Sequence, residues 1–216
     1  MNKLNIVEIP KDKVYNLIRE NIKSCQVSPA ERLTVGEYHH NISYDNAASA
    51  LKHGILSLQE EYRLRGREMT LEEKIKFSRE GGHINGIDEI SLASMNIDFD
   101  NLYSGERIYD PASPYYVDIL IADIIKTYRI TEHYANEFLA RDKIPTDFFL
   151  AIDVRILKYL EECDAGKKAV SHYNYLLDII SIMIEQKLDI PVREMSENPM
   201  TLSKVKMLTL PKIKLI

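Results

Sequence analysis

A long amphipathic pattern between Lys167 and Lys187 constrains this chain more than any other feature. Apolar residues recur there every three or four positions, which is the spacing that lines one side of a helix. The members of this stripe are Val170, Tyr173, Leu176, Leu177, Ile180, Met183 and Ile184. Because the stripe is wide, it predicts a helix that is buried in a core rather than one that offers a surface to a partner. The chain must therefore build a core large enough to cover it.

The composition fits such a core. The chain has 216 residues, of which 45% are hydrophobic and 28% are charged, and this is ordinary for a globular protein. A chain of this length buries roughly 70% of its unfolded surface and needs no disulfide or metal to hold it. We expect a single domain over residues 1–216, with an N-terminal helical extension over 1–30 and a C-terminal helix and basic tail over 167–216.

Charge and cysteine usage restrict the class of protein. The formal net charge is −5, so the whole molecule has no basic field to attract nucleic acid, although a local basic groove is compatible with it. Cys25 and Cys163 have no metal-site spacing and predict free thiols in a reducing compartment. The N-terminus has no apolar signal core, and no run approaches the ~18 apolar residues of a membrane helix. These features predict a cytoplasmic protein with no membrane partner.

Helices and strands are interspersed without the regular βαβ rhythm of a parallel sheet, which favours the α+β class. Helices are predicted at Lys11–Cys25, at Asp45–Leu51, and from the capping-box pair Thr70 and Glu73 through Arg79. Strands are predicted at Arg32–Tyr38, Glu89–Ser94 and Tyr115–Ala122. Thr131–Asn136 predicts one helical turn, and the lysine-rich tail from Ser203 predicts either an edge strand or a basic arm.

Motifs that identify several common enzyme classes are absent from the sequence. It contains no GxxxxGK[ST], GxGxxG, HExxH or GxSxG pattern. The histidines are scattered, and the adjacent pair His39 and His40 would point to opposite faces of a strand. We therefore expect no metal site.

A single carboxylate, Glu137, stands at the head of a short apolar run. Phe138–Ala140 follow it, and after a charged turn and Pro145 comes a second apolar run, Leu150–Val154. A charge that leads an apolar strand is presented at the edge of the core. Taken alone, such a residue is more often a solvated strand end, so its interpretation depends on the segments upstream.

Two upstream segments accompany Glu137 in a defined order. Tyr38–Leu56, YHHNISYDNAASALKHGIL, passes from a strand through a polar turn to a helix that contains Asn46, and Tyr109–Tyr116, YDPASPYY, follows. Together with the Glu137 segment, these motifs resemble in order and spacing those of the ADP-ribosyltransferase superfamily, and are nearest to the DarT-type DNA ADP-ribosyltransferases. Ile90–Ser94, ISLAS, is similar to the serine-bearing strand of the superfamily.

The resemblance implies an ADP-ribosyltransferase-like split antiparallel β-sheet with flanking helices. It also implies an enzyme that uses NAD+ as a co-substrate and needs no metal. Glu137 would be the catalytic carboxylate, stabilising the positive charge that spreads over the ribose as the nicotinamide bond breaks. Arg79 would assist it, with Arg67 as the other candidate for that role.

The resemblance also assigns the residues that would bind NAD+. The gap-free match puts His40 at the motif histidine, beside the adenine-side ribose, whereas His39 fits with a one-residue insertion. The other cofactor-binding residues would be Asn46, Ser91, Tyr109 and Tyr116. Ser91 would support Glu137 or the nicotinamide ribose, and one of the two tyrosines would stack on nicotinamide.

Two departures from the family pattern bear on the acceptor. Ala112 stands where DarT-type proteins carry Arg, and Ala135 stands where a paired acid would precede Glu137. A lone acid disfavours the modification of protein arginine. The resemblance therefore implies a mono-ADP-ribosyltransferase that modifies a nucleic acid base or a protein, acting as a toxin or effector, with an antitoxin among its partners.

Two alternatives stay open at the level of sequence. An RNA 2′-phosphotransferase-like enzyme needs several Arg and Lys side chains around a phosphate, and Arg141, Lys143 and Arg155 form no evident cluster. The other alternative is a non-catalytic binding module on the same fold.

Overall fold

The computed structural model describes residues 5–30, 38–42, 44–79, 88–94, 117–122, 131–134, 137–162, 166–196 and 198–216. The strands in these ranges are β1 (Ile6–Ile9), β2 (Gln26–Pro29), β3 (Tyr38–Ile42), β4 (Ile55–Leu56), β5 (Glu89–Ser94), β6 (Val117–Ile121), β7 (Thr131–Tyr134), β8 (Glu137–Arg141), β9 (Lys143–Ile144), β10 (Phe149–Val154), β11 (Val192–Glu194), β12 (Met200–Leu202) and β13 (Lys212–Leu215). The helices are α1 (Lys11–Ser24), α2 (Tyr44–His53), α3 (Leu58–Leu64), α4 (Leu71–Arg79), α5 (Ile156–Glu162), α6 (Lys167–Glu185) and α7 (Lys204–Met207), and Thr146–Phe148 forms a 3-10 turn.

One large sheet organises the described part of the chain. Nine strands follow the order β2-β12-β11-β10-β6-β3-β5-β8-β7. Neighbouring strands are antiparallel except β10 and β11, which are parallel. Two small ribbons, β1 with β13 and β4 with β9, complete the pairing seen in these ranges. The protein is thus a mixed α and β structure with a mostly antiparallel sheet and flanking helices, as the sequence predicted at that level.

Within the large sheet, β3 and β5 have fewer paired residues than any other two neighbouring strands. These strands pair only through Tyr38 with Ser94 and His39 with Ala93, and we call these two pairs the junction. By contrast, β3 pairs with β6 along its whole length, and β5 pairs with β8 from Glu89 to Ala93. In the described residues, β3 and β5 are therefore joined by these two pairs alone.

The core covers one face of this sheet. Residues of α1, α2 and α6 join alternate strand residues, including Ile119, Ile152 and Val192, in a single buried apolar cluster. Within that cluster the α6 stripe is buried as predicted, at Val170, Tyr173, Leu176, Leu177, Ile180 and Met183, although Ile184 at its end is exposed. Burying one such side chain stabilises the fold by roughly 1.5–3 kcal/mol. On the second face, Leu120 and Leu139 are buried outside this cluster.

Several local predictions are confirmed, and the clearest is the start of α4. The backbone N–H of Thr70 donates to the Glu73 carboxylate at 2.9 Å, and the Glu73 N–H donates to the Thr70 hydroxyl at 3.2 Å. This reciprocal pair is the capping box, and α4 ends at Arg79 as expected. The strand headed by Glu137 and the second apolar run, observed as β8 and β10, are also present.

Two local predictions need correction. Thr131–Tyr134 is a strand paired with β8, not a helical turn. A short strand of this kind forms because a partner supplies its hydrogen bonds, and that is not visible in its own sequence. Of the strand predicted at Arg32–Tyr38, residues 32–37 fall outside the described residues, and β3 runs from Tyr38 through Ile42. Both histidines therefore lie inside the strand and not at its end.

The chain ends are integrated into the fold. Residues 5–30 contribute two strands as well as the predicted helix. The tail forms α7 and β13, so it is an edge strand and not a free arm. The side-chain amide of Asn174 on α6 donates to the Ile213 carbonyl at 2.8 Å and accepts from the Ile213 N–H at 2.9 Å. Lys212 pairs with Asp178 at 2.7 Å, which fixes the tail further.

Candidate functional site

Glu137 lies at the start of β8, one strand away from the junction. The register pairs it with Ala93 of β5, and pairs Ala93 with His39 of β3. Residues directly opposite one another in neighbouring strands share a face of the sheet, so His39, Ala93 and Glu137 form one cross-strand row on the second face. Ser91 is two residues from Ala93 and lies on the same face. Segments far apart in the sequence thus meet on adjacent strands.

His40 and Asn46 lie together in a cleft that the second half of β3 and α2 line. We call it the α2 cleft; its volume is about 60 Å³. Its polar lining comes from His40 of β3, Asn46 and Ser49 of α2, and Glu61 of α3. Small-molecule sites occupy about 300–1,000 Å³, so the cleft can take the hydroxyl edge of a ribose but not a whole adenosine. An imidazole, an amide, a hydroxyl and a carboxylate around one cleft can hydrogen-bond the hydroxyls of a sugar.

The register separates His40 from Glu137. His40 stands opposite Ile119, in a row that continues through Ile152 to Val192 on the core face. The structure therefore brings His40 together with Asn46, and it brings Ser91 and Glu137 together with His39. The two groups therefore lie on opposite faces of the sheet.

The two arginines considered for catalysis are both on or next to α4. Arg79 is the last residue of α4, and its side chain lies outside the described part of the structure. Arg67 is held at the surface: its guanidinium lies 4.2 Å from the centroid of the Tyr62 ring and donates to Glu73 at 2.9 Å. Nothing in these contacts brings Arg67 toward Glu137.

The remaining predicted residues are not all within the described ranges. Tyr109 and Tyr116, with the whole of the YDPASPYY segment, fall outside them. Cys25 is a buried free thiol, whereas Cys163 also falls outside. Among the described residues, no group of three or more His, Cys, Asp or Glu side chains could hold a metal ion.

A polar row across the sheet is a feature that the sequence did not indicate. Six neighbouring strands place polar residues directly opposite one another on the second face, namely Ser28, Thr201, Arg193, Asp153, Asp118 and Asn41. At its centre Arg193 donates twice to the Asp153 carboxylate, at 2.6 and 2.8 Å, and both side chains are buried. The available signal was the charge of Asp153 inside the apolar run FLAIDV.

A buried carboxylate, Glu194, was also missed. It accepts hydrogen bonds from the backbone N–H groups of Ile156, at 2.9 Å, and of Ser196, at 3.0 Å. Glu194 thereby caps the first turn of α5 from a distant strand, a role that spacing in the sequence does not reveal. Burial raises the pKa of Glu194 to about 7, although these hydrogen bonds act in the opposite direction.

Comparison with known proteins adds no family assignment. No protein-family model matches the chain, and no curated protein matches it. Among the described residues, none of the helices is both long enough and apolar enough to cross a membrane.

Proposed function

We propose that this protein is an NAD+-dependent mono-ADP-ribosyltransferase that modifies a macromolecular acceptor. The observation that carries the proposal is the cross-strand row of His39, Ala93 and Glu137 at the junction. The resemblance in the sequence implies a split antiparallel sheet with Glu137 as its catalytic acid, and the row brings Glu137 next to the residues paired at the junction. The α2 cleft supports the same proposal, because it joins His40, expected beside the adenine-side ribose, with Asn46, another residue expected to bind NAD+.

The proposed reaction breaks the bond between nicotinamide and ribose. The bonding pair leaves with nicotinamide, which departs as a neutral molecule, and positive charge develops on the ribose. A carboxylate at Glu137 stabilises that charge, as carboxylates do in glycoside hydrolysis. The nucleophile of the acceptor then bonds to the ribose carbon, and Glu137 takes its proton as general base.

In this proposal the two halves of NAD+ contact different residues, one half on each face of the sheet. The nicotinamide ribose lies beside Glu137, with Ser91 and His39 on the same face. The ribose hydroxyls of the adenosine half enter the α2 cleft at His40 and Asn46, and the dinucleotide passes from one group to the other where the pairing of β3 with β5 ends. Tyr109 or Tyr116 stacks on nicotinamide, and Arg79 assists Glu137.

The acceptor is a nucleic acid base or a protein. The net charge of −5 gives no general attraction for bulk nucleic acid, because phosphate neutralisation dominates that affinity. A toxin or effector role, in the cytoplasm and with an antitoxin as a partner, follows from the same family resemblance. Labelled NAD+ with cell extract, followed by separate nuclease and protease digestion, identifies the acceptor class by which digestion releases the label.

Replacement of Glu137 tests the proposal directly. We expect Glu137→Gln to reduce the release of nicotinamide from NAD+ by about 10²-fold or more, because the charge that stabilises the transition state is lost. The matched control is Glu185→Gln, an exposed carboxylate in the last turn of α6, which we expect to leave the rate unchanged.

Thermal unfolding of both variants separates a loss of chemistry from a loss of folding. A folded Glu137→Gln protein that consumes NAD+ at the wild-type rate contradicts the catalytic role. A wild-type protein that shows no NAD+ binding by calorimetry instead supports a non-catalytic module.

A further inference from the structure

Glu61 is a charged group on the wall of the α2 cleft that the proposed reaction does not use. It comes from α3, whereas Asn46 comes from α2 and His40 from β3, and all three line the same cleft. Its side chain is 34% exposed, and Arg65, which pairs with it, is 66% exposed with 3.8 Å between Nη2 and Oε2. That distance is too long for a hydrogen bond. The carboxylate therefore keeps oxygen atoms that can accept a hydrogen bond from a ligand.

The adenosine ribose is the part of a dinucleotide on which such a group can act. NAD+ has a hydroxyl at the 2′ position, whereas NADP+ has a phosphate there. A carboxylate accepts a hydrogen bond from the hydroxyl, as acidic residues do in other dinucleotide sites. It repels a phosphate, and the repulsion is stronger at a partly buried site than in water.

We propose that Glu61 is a specificity-determining residue that makes this site select NAD+ over NADP+. This inference rests on the proposed function, because it requires the hydroxyl edge of the adenosine ribose to enter the α2 cleft. The discrimination then comes from charge and not only from the size of the cleft.

Nearby cations do not remove this preference. Lys143 passes over Gly54, because a Cβ built on Gly54 would lie 3.0 Å from Lys143 Cε. Lys143 and Arg65 are both exposed, so water and salt screen their charges. The pyrophosphate is common to NAD+ and NADP+, and a cation that attracts it favours both ligands alike.

Calorimetric binding of NAD+ and NADP+ tests the inference without knowledge of the acceptor. The quantity compared is the ratio of the two dissociation constants in the wild type, in Glu61→Gln and in Glu60→Gln. Glu60 is the matched control: it neighbours Glu61 on α3, pairs with Arg63 and does not line the cleft. We expect the preference for NAD+ to fall by about tenfold in Glu61→Gln and to stay unchanged in Glu60→Gln.

The outcomes distinguish this inference from the proposed function. If the wild type binds NAD+ but Glu61→Gln keeps the wild-type ratio, the role of Glu61 is overturned and the proposed function stands. If the wild type binds neither dinucleotide, both are overturned. Glu61→Lys is the second variant, for use if Glu61→Gln does not fold; we expect it to bind NADP+ at least as tightly as NAD+, and an unchanged ratio contradicts the inference.

Discussion

Two adjacent histidines on β3 lie in different cross-strand rows. His39 stands opposite Ala93, next to Glu137, whereas His40 stands opposite Ile119 and lines the α2 cleft. Under the proposed function, His39 is near the breaking bond and His40 is near the adenosine ribose. Under this proposal the two histidines have separate roles, so substituting each one should change a different kinetic constant.

Alanine substitution distinguishes the two histidines. We expect His39→Ala to lower kcat by about tenfold with little change in KM, because the effect falls on the transition state. We expect His40→Ala to raise KM for NAD+ by about tenfold with kcat unchanged, because uniform binding is lost. Steady-state NAD+ consumption gives both constants. His53→Ala, at an exposed position at the end of α2, is the control, and identical effects at His39 and His40 contradict the division.

At the scale of elements, the turn from α2 to β4 shapes the α2 cleft. Gly54 ends the helix by donating its N–H to the Ala50 carbonyl at 2.8 Å, and its φ is +86°. A side chain in this left-handed region is strained. The backbone also approaches β9 closely, because a Cβ on Gly54 would meet the Ile144 carbonyl oxygen at 2.5 Å. Only glycine satisfies both conditions.

Gly54→Ala should therefore destabilise the protein more than Gly66→Ala. Gly66 also has a positive φ, of +74°, but a Cβ there would meet nothing within 4 Å. We expect Gly66→Ala to cost about 1 kcal/mol from backbone strain alone. Gly54→Ala adds the clash and should cost at least about 2 kcal/mol more. Urea unfolding measures both free energies, and equal losses would show that the close approach to β9 has no energetic consequence.

Local chemistry explains which elements the sequence predicted. The capping box at Thr70 and Glu73 and the stripe of α6 involve residues within a few positions of one another, so their interactions are visible in the sequence. The strand β7 was wrongly predicted as a helical turn, because its hydrogen bonds are made with β8. The end cap of α5 was not predicted for the same reason, since Glu194 is 38 residues from Ile156.

At the scale of the whole molecule, the pKa values of two buried groups are shifted in opposite directions. Burial raises the pKa of Glu194 to about 7 from its ordinary 4.5. Burial, with Lys168, lowers the pKa of His172 to about 4 from 6.5. The stability linked to Glu194 is fully present below pH 4.5 and is lost as the pH rises to 7. The stability linked to His172 is fully present above pH 6.5 and is lost as the pH falls to 4.

These contributions oppose one another between pH 4.5 and 6.5, and single variants should reveal each one. In Glu194→Gln only the contribution of His172 remains, so we expect its unfolding free energy to rise with pH by about 2 kcal/mol more than that of the wild type across this window. We expect His172→Gln to show the reverse, a fall of about 2 kcal/mol relative to the wild type. Urea unfolding at several pH values measures the slopes, and parallel slopes in all three proteins rule out this balance.

The sequence by itself determined the elements whose signals are local. It determined the helix from Lys167, the capped helix from Thr70, the strand headed by Glu137 and the α+β class. It also indicated the candidate residues, since their types and order are properties of the chain. These predictions depend on contacts between near neighbours and on the alternation of apolar and polar residues.

Only the tertiary structure decided which candidates lie together. The sequence allowed either His39 or His40 at the motif position, and pairing across three strands put His39 in the row of Glu137 and His40 in the α2 cleft. It also brought Asp153 to Arg193 and Glu194 to the start of α5. The physical reason is that strand register is set by long-range pairing, and a shift of one residue moves every side chain to the opposite face of the sheet.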